Sequence, residues 1–168
     1  MVVSPLGEHF RGEIGLFLSI DPGRSKFGWA LVEDNGRFLC SGITGLSMLE
    51  SFLSKLVKKP PLSLDEITLE GKLETTSRSK IDGVFIGNGT GRELFIEKIE
   101  RSFPWYRLID ERNSTLEARE IYWTFHPPKG WRRLLPLSFQ IPPRAVDDLA
   151  AYCIAMRGIR EIYDKEIR

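Results

Sequence analysis

The chain has no run approaching the roughly 18–20 apolar residues that a membrane-spanning helix needs. It has only two cysteines, Cys40 and Cys153, in 168 residues. The first absence argues against an integral membrane protein. Each cysteine sits in an apolar stretch, Phe38-Leu39-Cys40 and Ala151-Tyr152-Cys153-Ile154, where a buried reduced thiol is the ordinary state. A disulfide framework or a cysteine metal site is therefore not expected, and a reducing, cytoplasmic compartment is. The opening stretch is broken by Pro5, Glu8, Arg11 and Glu13 and lacks the apolar core and small-residue cleavage site of a secretory signal. An excess of one charge is also missing: 24 Lys and Arg face 23 Asp and Glu, for a net +1. A nucleic-acid partner would need a local basic patch. There is no internal repeat or low-complexity tract. The two histidines, His9 and His126, stand far apart with no ligand-type neighbours, and neither reads as catalytic.

What is present describes a folded globular chain. Hydrophobic residues make up 42% and charged residues 28%, outside the disordered range. The length predicts one domain over residues 1–168 with its own core, and a loose tail over 1–14.

Hydrophobic patterning gives the element order. Leu16–Ile20 is an apolar strand ending at Asp21-Pro22-Gly23, followed by Phe27–Val32 and Arg37–Cys40. Asn35-Gly36 between two apolar runs predicts a type I′ hairpin with positive φ at both residues. Ser47-Met48-Leu49-Glu50 reads as a capping box opening a helix with Leu49, Phe52, Leu53, Leu56 and Val57 on one face, stopped by Pro60-Pro61. Residues 60–80 fit a strand or a short helix equally. Val84–Ile86 is a buried strand, followed by the glycine loop 87–91 and a helix over about 92–102. Tyr106–Ile109 is a further strand. Ser114–Glu117 reads as a second capping box, for a helix to about Phe125, with Glu117 a capping residue rather than a catalyst. The last helix carries Val146, Leu149, Ala150, Cys153 and Met156 on one face. The order βββαβαβα predicts a mixed α/β sheet of five strands, the first three antiparallel and the later ones parallel through right-handed crossovers.

In such sheets, sites gather at the carboxyl ends of the strands. Asp21, Asn88 and Asp110-Glu111 follow three strands, and Asp147-Asp148 opens the last helix. Carboxylates converging from separate elements suit the hard cations Mg²⁺ or Mn²⁺. Each acid alone has a plainer reading, as a turn former or a complement to a helix dipole. Gly87-Asn88-Gly89-Thr90-Gly91 fits a tight strand-to-helix turn better than a phosphate cradle, because it lacks the Lys-Ser/Thr of a P-loop. Lys129, Trp131, Arg132, Arg133 and Arg144, with Arg24 and Lys26 beside Asp21, suit a phosphate backbone and a stacked base, or a solvated loop.

Three stretches then carry a family resemblance. Ile20-Asp21-Pro22-Gly23-Arg24-Ser25-Lys26-Phe27-Gly28, Ile109-Asp110-Glu111-Arg112-Asn113-Ser114-Thr115-Leu116-Glu117-Ala118 and Val146-Asp147-Asp148-Leu149-Ala150-Ala151 resemble, in order, the motifs of the YqgF-type branch of the RNase H-like superfamily. That branch is described as Holliday junction resolvase-like and as a nuclease of pre-16S ribosomal RNA. The resemblance spans about Leu16–Ile159, and the segment from Trp123 through Pro143 is most similar to cyanobacterial members. It implies an RNase H-like fold and a metal-dependent endonuclease. Asp21, Asp110 and Asp147 would be catalytic metal ligands with Glu111 a fourth, for Mg²⁺ or Mn²⁺. Arg112 would hold phosphate or the acidic cluster. The partner would be structured RNA or branched DNA, with a homodimer required for symmetric junction cutting. Two departures stand out: Asn88 where resolvases of the superfamily carry a carboxylate, and a long 60–80 connection. Two other readings stay open: a binding protein of this fold without catalysis, and an actin-like nucleotide fold, which would need a second domain.

Overall fold

The computed structural model describes residues 15–58, 64–73 and 80–166. The expected tail over 1–14 and the Pro60-Pro61 stop lie outside them. The elements run β1 Leu16–Asp21, β2 Lys26–Glu33, β3 Phe38–Gly45, α1 Leu49–Val57, β4 Thr68–Gly71, β5 Gly83–Gly87, α2 Arg92–Ser102, β6 Tyr106–Ile109, α3 Ser114–Phe125 and α4 Asp147–Glu166. They build one mixed sheet in the order β4-β3-β2-β1-β5-β6. β1 is antiparallel to β2 and parallel to β5, and β5 is parallel to β6. The sheet has six strands, not the expected five. The added one, β4, lies in the segment whose pattern is undecided from sequence and pairs antiparallel with β3. Its alternating half-buried residues carry too little apolar signal to mark it.

Period-2 alternation distributes the core. Leu16, Leu18 and Ile20 of β1 join Phe27, Trp29 and Leu31 of β2 under α1 and α2, where Phe52, Leu56, Phe95 and Ile99 close the layer. Phe17 of β1, Val32 and Phe85 face Ile154, Ala155, Ile159 and Ile162 of α4 on the opposite side. Each fully buried Val, Leu, Ile or Phe side chain among them contributes roughly 1.5–3 kcal/mol. Cys40 and Cys153 are buried free thiols, and burial pushes both up to about 12. No helix of the described residues is long and apolar enough to cross a membrane.

Three local expectations change. Only Gly36 (φ 84°) takes positive φ in the β2–β3 hairpin, not Asn35. The Gly36 N–H donates to Glu33 O and the Glu33 N–H to Arg37 O, a type I turn closed by a left-handed glycine. Neither capping box forms. Leu46–Met48 is a 3₁₀ turn leading into α1, which has no side-chain cap, and Glu50 is drawn away to Lys98 of α2. Asn113 (φ 65°) caps α3 through its backbone, and Glu117 is bonded instead to Arg157 of α4 at 2.6 Å.

Candidate active site

The parallel strands β1, β5 and β6 end at one edge, where the register aligns Ile20 with Ile86 and Gly87 with Ile109. Asp21 ends β1, and Asp110-Glu111 follow β6 directly. Alternation decides which acid turns inward. Ile109 lies in the cluster under α4, so a side chain two positions on falls on the same face and the one between falls on the other. Glu111 accordingly lies against Asp21. Asp110 turns out to Arg112, which bonds it through its backbone N–H and Nε at 3.0 Å each. These hydrogen bonds hold the Asp110 carboxyl below its ordinary range. Arg112, expected to hold phosphate or the acidic cluster, is thus committed to Asp110. Together with Asn113, Arg157, Arg160, Glu161 and Asp164, they line a separate open groove of about 470 Å³.

The third acid arrives because α4 can approach closely. Gly28 pairs with Asp21 across β1 and β2, and a Cβ at Gly28 would lie 2.0 Å from Asp147 O. Only glycine leaves room for the first turn of α4 there. The helix macrodipole favours acids in that turn. Lys26 Nζ contacts Asp147 Oδ2 at 2.5 Å, so Lys26 neutralises the cluster rather than projecting freely.

Asp21 is strongly perturbed. Burial first, then repulsion by Glu111 and Asp147, raises it from 3.8 to about 7. Glu111 is also raised, chiefly by burial, against a hydrogen bond from the Gly89 backbone. The glycine loop is a seat for this carboxylate: a Cβ on Gly89 would lie 1.9 Å from Glu111 Oε1, and one on Gly87 2.3 Å from Oε2. Oε2 is buried with no hydrogen-bond partner. Among the described residues, no group of three or more His, Cys, Asp or Glu side chains forms a ready-made metal cage. The donor set nonetheless fits a hard cation: carboxylates from three elements repel one another, and one buried carboxylate oxygen lacks a donor.

Asp148, next along α4, is fully buried and serves a different network. It accepts Ser41 Oγ at 2.9 Å and Arg144 Nη1 at 2.8 Å. The Arg144 Nη2 reaches Glu70 Oε1 of β4 at 2.5 Å, and His126 Nε2 meets the same oxygen at 2.7 Å. Burial pushes Glu70 up, but the bonds from Arg144 and His126 outweigh it and leave it below its ordinary value. Arg144, expected on nucleic acid, is therefore an internal clamp. Of the other expected contacts, Arg24 is exposed beside the acids, while Lys129, Trp131, Arg132 and Arg133 are exposed on the segment between α3 and α4. Sequence reasoning missed the Glu70–Arg144–Asp148 network, because Glu70 lies 74 residues from Arg144 in the chain.

No protein-family model matches this chain, and no curated protein does.

Proposed function

We propose that the protein is a metal-dependent endonuclease of the YqgF-type, RNase H-like kind, hydrolysing phosphodiester bonds in structured RNA, such as precursor ribosomal RNA, or in branched DNA. The observation that carries this reading is the meeting of Asp21, Glu111 and Asp147 at one sheet edge with Asp21 raised by burial and by the other two acids. A carboxyl perturbed by burial together with specific charge partners is a candidate functional group. Asp21, Glu111 and Asp147 would hold Mg²⁺ or Mn²⁺, which supplies an activated water and stabilises the charge developing on phosphorus. Glu111 takes the place expected of Asp110. The Gly87–Gly89 seat fixes the direction of its carboxylate. Gly28 sets the height of Asp147 above the sheet, and Lys26 and Arg24 flank the acids where a phosphate would lie. Asp110 acts through Arg112 at the rim. Cutting a symmetric junction would need two copies.

The test is cleavage of labelled precursor ribosomal RNA and of a four-way DNA junction, with Mg²⁺ or Mn²⁺ and with chelator, by the wild type and by Asp21→Asn. Cleavage needing both the metal and Asp21 supports the reading; cleavage unchanged by Asp21→Asn defeats it. A second reading, nucleic-acid binding without catalysis, draws on Asn88, a neutral residue at an edge where another carboxylate would strengthen metal binding. Binding without cleavage in either metal would favour it.

A further inference from the structure

The segment between α3 and α4 joins features that the hydrolytic reading does not use. Trp131, Leu134, Phe139 and Ile141 are 71%, 86%, 80% and 77% exposed, although large apolar residues normally seek burial. Their loop is internally bonded. Residues 130–134 and 137–139 form 3₁₀ turns, and the Gln140 side-chain amide donates to Arg132 O at 2.9 Å and Leu135 O at 3.0 Å. Both ends are tied to Glu70, by His126 and by Arg144, and Arg144 also holds Asp148, the neighbour of Asp147. The loop thus rises from beside the acid cluster. From Ile121 to Val146 the chain has no Asp or Glu, whereas Lys129, Arg132 and Arg133 flank the exposed apolar side chains.

We infer that this loop is an apolar wedge that enters nucleic acid at a break in base stacking, and so selects substrates with a junction, bulge or duplex end over continuous duplex. Cations without a compensating acid match a phosphate backbone. Protruding Leu, Ile and Phe side chains gain nothing from the outside of a stacked helix, but they fill the gap at an opened base step, and Trp adds a stacking face. A continuous duplex must first be unstacked at a cost, and a discontinuity is already open. Self-association through the same loop would set like charges face to face. This inference rests on the nuclease reading for its substrate but is read without cleavage.

The test uses the full chain in chelator with DNA carrying 2-aminopurine, either at a four-way junction or within a continuous duplex of equal length. Wild-type protein should raise 2-aminopurine emission at the junction and leave the duplex unchanged. Leu134→Ser/Phe139→Ser, both at exposed positions, should fold normally and bind the junction at least about tenfold more weakly. Trp131 gives a second signal, since Trp29, Trp105 and Trp123 are buried, and junction DNA should quench its emission. Equal responses to junction and duplex, or a junction preference that survives the double substitution, would overturn the wedge. So would a blue shift of Trp131 emission on phosphatidylglycerol vesicles without quenching by DNA, which would mark a membrane surface, or a shift with protein concentration alone, which would mark a second copy. Asp21-dependent cleavage without unstacking would remove only this inference. Unstacking with cleavage indifferent to Asp21 would remove only the nuclease assignment.

Discussion

Asp21 shows how one residue can serve chemistry at the expense of stability. Its carboxyl is raised to about 7 in the folded chain from 3.8, so below about pH 3 it is protonated in both states and costs nothing. As pH rises from about 4 to 7 the unfolded chain releases this proton before the folded one, and stability falls, by at most about 4 kcal/mol. Asp21→Asn removes the penalty. In chelator the variant should melt higher than the wild type at pH 8, with the difference vanishing near pH 3, as differential scanning calorimetry would record. It should meanwhile lose cleavage. A variant less stable at pH 8 would mean that Asp21 is an ordinary turn former.

At the scale of elements, the site depends on how α4 meets the sheet. Gly28→Ala places a Cβ 2.0 Å from Asp147 O, a backbone atom that cannot rotate away. The helix start must shift, at a cost of about 1–3 kcal/mol. Moving Asp147 by about 1 Å should lower kcat roughly 100-fold, which single-turnover kinetics would resolve from the loss of stability seen in urea melts. Arg144→Ala leaves the Asp148 carboxylate buried beside Ser41 alone and should cost about 3–5 kcal/mol. The strand β1 and the helices α1 and α4 were legible because their apolar residues recur at clear spacings. The strand β4 was not, since only two of its four residues are even half-buried. The acids were legible as strand-end residues, but choosing Glu111 over Asp110 required the inward face of β6. Ile109 marks that face, and alternation from it ranks Glu111, named from the sequence only as a fourth ligand, ahead of Asp110. The capping boxes failed because Glu50 and Glu117 found cations on other helices, contacts that local spacing cannot reveal.

Over the whole molecule, positive and negative charges nearly cancel, so long-range steering is weak and any affinity for nucleic acid must come from the local cations. Arg24 near Asp21, and Lys129, Arg132 and Arg133 on the loop, are exposed and are bonded to none of the acids of the site. If about four phosphates are neutralised, the logarithm of the binding constant should fall against log salt with a slope near −3 to −4. Arg132→Ala/Arg133→Ala should make the slope shallower by about 2, as fluorescence anisotropy over a salt series would show. A slope near zero would place the binding elsewhere. The decisive comparison is between neighbouring acids of one motif: Mg²⁺-dependent cleavage of the preferred substrate by Glu111→Gln and by Asp110→Asn. The inward Glu111 predicts a loss of at least about 100-fold for Glu111→Gln and less than about tenfold for Asp110→Asn, whose partner is Arg112. Full activity in Glu111→Gln, with the loss confined to Asp110→Asn, would contradict the site described.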